Sequence, residues 1–447
     1  MVEKKKVNAE IKEPIWNNCT SIAEVFNKKA GEVVKIRGWV YDSRSLGKVK
    51  FIVVRDMTGR MQIVAFKGGV EEKIFEEIDK ISRESVVVIE GKIQDSKQAP
   101  GGKELLPLML EVIGKADINL PIDVSDFSKT ELPKRLDYRF LDLHRERTQA
   151  VFRVQGTIMA GFREYMVVKQ NALEAVFPSL IGASSEGGTD VFKMKYFEKE
   201  VCLSQSCQLY KQMLACSMEK VFTIFSCWRA EKHNTTRHLN ECRQMDFEMA
   251  FADDKTVMAI MAECVQYIIK KVLEVNKKEL DLLEVKLKVP EVKYLTFKEV
   301  SDMLKKEKVH VGEDDLNGES EEKLGELYPD TIIFVHDWPL SGKPFYIMPK
   351  DGKVDAKLSN GFDAIYRGME ITSGGQRIHL PELLAQRLKA KGLRPEAFKD
   401  YIDSFRYGAP PHAGWGIGLE RLTMLILGIK NIREAVLFPR DRERITP

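Results

Sequence analysis

Two stretches of this chain concentrate groups that can hold and polarise a phosphate. The first runs Trp228-Arg229-Ala230-Glu231-Lys232-His233-Asn234-Thr235-Thr236-Arg237-His238-Leu239-Asn240-Glu241. Strand-like runs at 221–226 and 244–251 flank it, so it reads as the loop of a long hairpin. Solvated loop decoration would use similar residues. The pairing of Arg229 with Arg237 across a turn instead makes a clamp for phosphate oxygens. The second stretch is Gly416-Ile417-Gly418-Leu419-Glu420-Arg421-Leu422-Thr423-Met424. Its glycines end a strand and a helix starts at Leu419, so Arg421 can meet a ligand lying on the sheet. No G-x-x-x-x-G-K-[ST] occurs, which excludes the common phosphate loop. Each stretch alone is a weak signal.

The elements around them fall into two textures. Residues 33–41, 49–55, 60–66, 85–93 and about 104–113 are short β-branched runs separated by turn residues. An amphipathic helix is expected over 70–81. Five strands and one helix suit a small Greek-key barrel of the oligonucleotide-binding (OB) kind. Residues 116–135, with Pro121 and Pro133, read as a hinge after a 1–115 barrel domain that includes a lysine-rich tail. The 136–447 block has helical stripes, Val151, Val154, Ile158, Phe162, Tyr165 and Val257, Met261, Val265, Ile268, Val272, alternating with strand-like runs at 199–204, 221–226, 244–251 and 331–336. The fold class is therefore α+β. The charged segment 304–326 reads as a surface excursion.

Composition narrows the class. With 44% hydrophobic and 31% charged residues over 447 positions, the chain can bury a large core, and no apolar run reaches the ~18 residues of a membrane span. Seven cysteines without a C-x-x-C argue against a disulfide framework or zinc ribbon and for a reducing cytoplasm. The net charge of +3 comes from the N-terminal end, where residues 1–50 hold 11 Lys+Arg against 6 Asp+Glu. That fits a polyanion partner there, and equally a soluble lysine-rich tail.

Together the two stretches resemble class II aminoacyl-tRNA synthetases. W-R-A-E at 228–231 is similar to their second motif, G-I-G-L-E-R at 416–421 to their third, and Pro178 in ALEAVFPSLIG to the dimer-interface proline of their first. QSCQLYKQ (205–212), RAEKHNTTRHLNE (229–241), YRGMEITSGGQRIH (366–379), YGAPPHAGWGIGLER (407–421) and FPRDRERITP (438–447) resemble the aspartyl branch of archaeal and eukaryotic type. The resemblance implies an N-terminal five-stranded OB-fold barrel that binds the anticodon. It also implies a class II catalytic domain, an antiparallel sheet flanked by helices. The implied reaction joins L-aspartate to tRNA(Asp), and also tRNA(Asn), through aspartyl-adenylate. ATP is the co-substrate, Mg2+ the cofactor and a homodimer the assembly, with no membrane or DNA partner. The alternatives are an asparaginyl enzyme of the same class and a non-catalytic tRNA-binding paralogue.

The resemblance also implies residue roles. Arg229 would hold the α-phosphate and substrate carboxylate, Arg237 and His238 the β- and γ-phosphates, and Arg421 the adenine and γ-phosphate. Ala230, Glu231, Leu239, Gly418, Leu419 and Glu420 complete the ATP site. Glu370, Asp363 and Ser373 match magnesium positions, where hard oxygens suit the ion. A surface carboxylate is the plain alternative for Glu370. Lys211 and Arg377 would grip the β-carboxylate, with Gln208, Asp246, Glu186 and Ser373 around the rest of the amino acid. In the barrel, Phe51 and Gln62 match anticodon readers, an aromatic to stack and an amide for a base edge, although Phe51 could equally be core. Tyr41 and Pro100 occupy positions where tryptophan and lysine accompany strict reading of the aspartate anticodon. Lys97 or Lys103 is the alternative reader of that base. Cys207, Trp228 and Cys242 depart from the family pattern, Cys242 standing where many relatives carry an aromatic ring.

Overall fold

The computed structural model describes residues 13–125, 127–182 and 190–447, and the chain divides into two compact units between Pro121 and Ile122. In the first unit, strands β1 (Val33–Ser45), β2 (Val49–Arg55), β3 (Arg60–Phe66), β4 (Val86–Asp95) and β5 (Lys103–Gly114) close into a barrel. Their order among the described residues is β1-β2-β3-β5-β4. Alternation sends Val34, Ile36, Val40, Ile52, Val54, Met61 and Ile63 inward, each buried. Gly38 takes an inward position where a Cβ would stand 2.1 Å from the Arg55 carbonyl oxygen, so only glycine lets β1 approach β2 there. The expected helix forms over Glu72–Glu77 and tightens to a 3₁₀ turn over Ile78–Lys80.

In the second unit the remaining strands are β6 (Leu173–Glu174), β7 (Leu180–Gly182), β8 (Lys193–Tyr196), β9 (Lys199–Leu203), β10 (Lys220–Trp228) and β11 (Glu241–Ala250). They continue with β12 (Glu291–Thr296), β13 (Thr331–His336), β14 (Gly361–Tyr366), β15 (Met369–Gln376) and β16 (His412–Gly418). Eight of them form one sheet in the order β12-β13-β14-β15-β16-β11-β10-β6, with central pairs antiparallel. Strands β7, β9 and β8 form a small separate sheet.

Helices Glu146–Glu164 and Asp254–Val275 lay their apolar stripes against one face of the large sheet. Trp415 of β16 is fully buried there, with its ring 6.1 Å from Phe162 and 5.7 Å from Phe247. Each buried large apolar side chain contributes roughly 1.5–3 kcal/mol, so this face anchors the unit. Because strand side chains alternate, committing Met245, Phe247, Trp415 and Ile417 to that core sends Asp246, Glu248 and the glycines between them to the other face.

Segment 304–326 is not the surface excursion its charge suggests. Val309, Val311, Leu316 and Leu324 are buried in a core with Leu295, Val300, Ile333 and Trp338. Helix Gly318–Leu327, capped by the Asn317 side chain, then lies against β14 and β15. Sparse apolar anchors among many acids hide this packing from a composition reading.

Candidate active site

The polar face of the sheet carries a cavity of about 330 Å3. Its floor is β11, β15 and β16, and its rim is the β10–β11 loop and the start of helix Leu419–Leu427. Arg229, Glu231, Arg237, His238, Leu239, Gly418, Glu420 and Arg421 line it, with Gln208, Asp246, Glu370 and Ser373. Thus most of the residues expected for the nucleotide and amino acid share one space. Ala230 and Leu419 support it from outside: Ala230 donates its N–H to the Asp190 carbonyl, and Leu419 is buried in the core. Glu186 lies outside the described residues.

The hairpin loop is held by its own backbone. Arg229 N–H donates to the Asn240 carbonyl at 2.9 Å, and the Asn240 amide donates to the Arg229 carbonyl at 2.7 Å and the Glu231 carbonyl at 3.0 Å. Arg237 pairs with Glu322, and His238 shares a 2.6 Å hydrogen bond with Thr235. Burial holds the His238 imidazole below its usual range despite nearby Glu231, and the Arg421 and Arg229 charges add to this. A neutral imidazole among cations leaves the excess positive charge on the guanidinium groups.

Helix Leu419–Leu427 begins where β16 runs out. At that point the Arg243 N–H of β11 is taken instead by the Glu420 carboxylate, at 3.0 and 3.2 Å. Glu420 is 2% exposed, and burial pushes its carboxyl up to about 7. It ties the strand end to the helix start and so positions Arg421. Arg421 donates to the Glu370 carbonyl at 3.2 Å.

Behind Asp246, a cluster of buried ions includes Lys211 and Arg377, which are expected at the site but do not line the cavity. Lys211, on helix Gln208–Met218, donates to Asp246 at 2.7 Å and to the Trp415 carbonyl at 3.0 Å, with the Glu248 carboxylate at 3.4 Å. Arg377 grips Glu248 with two bonds, 2.9 and 3.2 Å. Burial disfavours charge on Lys211 and Arg377, yet the carboxylates outweigh it and both are raised. Burial likewise opposes ionisation of Glu248, and the two cations hold it below the usual range. The four charges cancel, and Oδ2 of Asp246 is buried without a hydrogen-bond partner. A buried acceptor of this kind demands a donor. Gln208 donates to Gln212, which also meets His412 and Tyr401, so the helix is braced behind the site.

Glycine is required where these acids cross β16. A Cβ at Gly416 would stand 2.7 Å from Asp246 Oδ1, and one at Gly414 2.2 Å from Glu248 Oε2. Glu248 is the residue sequence reasoning missed. Its signal was available as two carboxylates two apart, Asp246 and Glu248, alternating with Met245, Phe247 and Met249 and facing a G-x-G-x-G strand.

Glu370 and Asp363 are set on neighbouring strands, with Ser373 directly opposite Asp363. Burial, then the Asp363 charge, pushes Glu370 up to about 7. Buried Asp363, half-buried Glu370 and the Ser373 hydroxyl are hard oxygen donors, and a divalent cation would relieve the repulsion of the two acids, so they fit Mg2+. No cluster of three or more His, Cys, Asp or Glu stands ready for a metal among the described residues. Mg2+ commonly takes only one or two carboxylates and fills its shell with water and phosphate oxygens. Two further charges border this set. Lys343 pairs with Asp363, and Glu321, from the misread helix, accepts the Glu370 N–H at 3.2 Å.

In the barrel, Phe51 is half-buried on the face away from the core, since Ile52 and Val54 point inward. Gln62 pairs with Val53 on that same outer face and donates to Glu104 at 2.8 Å. Tyr41 has Arg60 over its ring at 3.7 Å. Pro100 is exposed in the β4–β5 connection. Lys103 donates to the backbone carbonyls of Phe26 and Lys28.

A closed five-stranded barrel makes up one unit of the chain, and a mainly antiparallel sheet bearing an arginine-lined cavity makes up the other. Residues 131–442 match the family "tRNA synthetases class II (D, K and N)", and residues 34–113 match "OB-fold nucleic acid binding domain". The chain belongs to the class II tRNA synthetases. It is 43% identical over 433 residues to the Archaeoglobus fulgidus protein named Aspartate--tRNA(Asp/Asn) ligase, covering 95% of this chain and 99% of that one. It is 42% identical to the Methanocaldococcus jannaschii protein of the same name, covering 97% and 99%. Among solved structures, asparaginyl-tRNA synthetase from Pyrococcus horikoshii with asparaginyl-adenylate superposes with a TM-score of 0.91 at 33% identity, covering 96% and 100%. Aspartyl-tRNA synthetase from Entamoeba histolytica gives 0.86 at 32%, covering 98% and 95%. No helix among the described residues is long and apolar enough to cross a membrane.

Proposed function

We propose that this synthetase activates L-aspartate with ATP and passes it to tRNA(Asp) and tRNA(Asn) in the cytoplasm. The observation that carries the choice of amino acid is the buried Lys211–Arg377 pair. Both cations already hold Asp246 and Glu248, so a second carboxylate would share them with these acids, and the unpartnered Asp246 oxygen suits the substrate ammonium. An asparagine amide would turn a donor toward Lys211, a mismatch that polar sites reject strongly.

In this reading the aspartate α-carboxylate attacks the α-phosphorus of ATP in line and pyrophosphate leaves. Arg229 holds the attacking carboxylate and the α-phosphate, while Arg237 and His238 hold the outer phosphates. Arg421 lies over the adenine and reaches the γ-phosphate. Fixed guanidinium groups meet charge where it develops and need no reorganisation as the reaction proceeds. Glu370, Asp363 and Ser373 would hold Mg2+, which supplies charge neutralisation for the triphosphate. The homodimer reading is supported by an exposed apolar strip, Val167, Val168, Leu173, Val176 and Leu180, which brackets Pro178.

Use of both tRNAs is supported by the names of the archaeal relatives and by Pro100. Its exposed ring carries no side-chain donor for the third anticodon base, C against U. Phe51 and Gln62 on the outer face and the Tyr41 ring remain for base stacking and edge contacts. Charging of purified tRNA(Asp) and tRNA(Asn) transcripts tests this. Comparable aspartylation of both is expected, and a preference for tRNA(Asp) of about a hundredfold, the scale of one base-specific contact, would refute it.

A further inference from the structure

Cys227 of β10 and Cys242 of β11 are directly opposed in the antiparallel register. Their sulfurs are 3.1 Å apart. Opposed antiparallel residues have Cα atoms about 4.5–5.5 Å apart, inside the 4.4–6.8 Å window of a disulfide. All seven cysteines are free thiols. The pair is placed for consequence: Cys242 lines the cavity, Cys227 is fully buried beneath it, and Arg229 follows Cys227 by two residues.

We propose that Cys227 and Cys242 form a reversible oxidation site, which a hydroperoxide converts to a disulfide in the cavity wall, stopping adenylate formation. The second half of this statement rests on the reading of the cavity as the nucleotide site. Cys242 is the attacking sulfur. It faces the cavity, and its hydrogen bond with Cys227 holds its thiol below the usual range against the effect of burial, with Arg229 and Arg421 helping. Cys227 is pushed up by the same contact and by burial, and serves as the resolving thiol. The Cys242 thiolate attacks one peroxide oxygen, the O–O bond breaks, a sulfenic acid forms and water leaves. The Cys227 sulfur then attacks the sulfenic sulfur, the S–S bond forms, and the departing hydroxide leaves as a second water with the Cys227 proton. Two thiols lose two electrons while hydrogen peroxide is reduced to two waters.

Closing 3.1 Å to the roughly 2.05 Å of a disulfide draws the strand ends together beside Arg229. A shift of that size at a site that works by positioning costs activity out of proportion to its length. A bound nucleotide covers Cys242 and should slow the oxidation.

The test uses the full-length protein, reduced and then treated with hydrogen peroxide. Trypsin places Cys227 in VFTIFSCWR and Cys242 in HLNECR. The expected result is a cross-linked pair of these two peptides, lighter by two hydrogens. ATP–pyrophosphate exchange falls by about tenfold or more in parallel and is recovered with dithiothreitol. ATP present during oxidation slows the cross-link. Cys227→Ser, whose side chain is outside the cavity, should lose the cross-link and the dithiothreitol-reversible inhibition. No exchange by the reduced enzyme would sink the nucleotide reading but not the disulfide, which mass spectrometry reads alone. The oxidation site is overturned if no such cross-link forms, if it forms with exchange unchanged, if Cys207 in EVCLSQSCQLYK carries the bond instead, or if Cys227→Ser remains reversibly inhibited.

Discussion

Strand β16 carries glycines at 414, 416 and 418, and the structure assigns each a different tolerance for a methyl group. At Gly416 the new carbon would lie 2.7 Å from Oδ1 of Asp246, whereas ordinary contact begins near 3.4 Å, so one atom must retreat by about 0.7 Å. That oxygen is the one bonded to Lys211 at 2.7 Å, and it cannot move without loosening the ion network. Overpacking of this kind costs ~1–3 kcal/mol, or roughly 2–10 °C of melting temperature in a unit of this size. Displacing a positioning group by most of an ångström lowers kcat/KM for aspartate ~100-fold. Gly418→Ala meets only Arg421 side-chain carbons at 3.6–3.8 Å and should shift the melting temperature by no more than ~2 °C. Gly414→Ala meets the Phe247 carbonyl oxygen and Glu248 at 2.2 Å and should fail to fold. Thermal melts and exchange kinetics on the three variants read this series. A folded Gly416→Ala protein with unchanged kinetics would refute the claim that Asp246 and Lys211 are locked together under the substrate.

Three further outcomes follow from the site. Arg229→Ala and Arg421→Ala should each cut exchange by about a hundredfold, and a near-normal rate in either removes that residue from the catalytic set. Glu420, pushed up by burial from 4.5 to about 7, stabilises the fold fully below about 4.5, and that contribution is lost as pH rises through about 7. Glu420→Gln keeps an acceptor for the Arg243 N–H without titrating. Its stability relative to the parent should therefore rise by ~1–3 kcal/mol between pH 5 and pH 8 in denaturant melts, and a flat difference contradicts the assignment. Val176 is 95% exposed, and Val176→Glu should yield monomers by light scattering, whereas an undisturbed dimer would remove this strip from the interface.

The barrel was legible because alternation and turn residues are local, and each expected strand formed within a few residues of its place. The arginine rim of the cavity was legible because Arg229, Arg237 and Arg421 sit on one loop and one strand-to-helix junction. Glu248 was not, because its importance arises only when β11 and β16 pair and bring it against Arg377 and Lys211 from distant segments. Segment 304–326 misled for a related reason. Its acids read as solvated, yet Glu321 is drawn in beside Glu370, near the Arg421 and Arg237 charges, and burial raises its carboxyl. Phe51 needed the register to decide its face, since alternation gives the period of a strand but not its phase.

The most direct test of the account is ATP–pyrophosphate exchange with L-aspartate and with L-asparagine on the unmodified enzyme. Lys211 and Arg377, held by Asp246 and Glu248, predict that aspartate is activated and that asparagine is slower by about a thousandfold or more. Equal exchange with the two amino acids would contradict it.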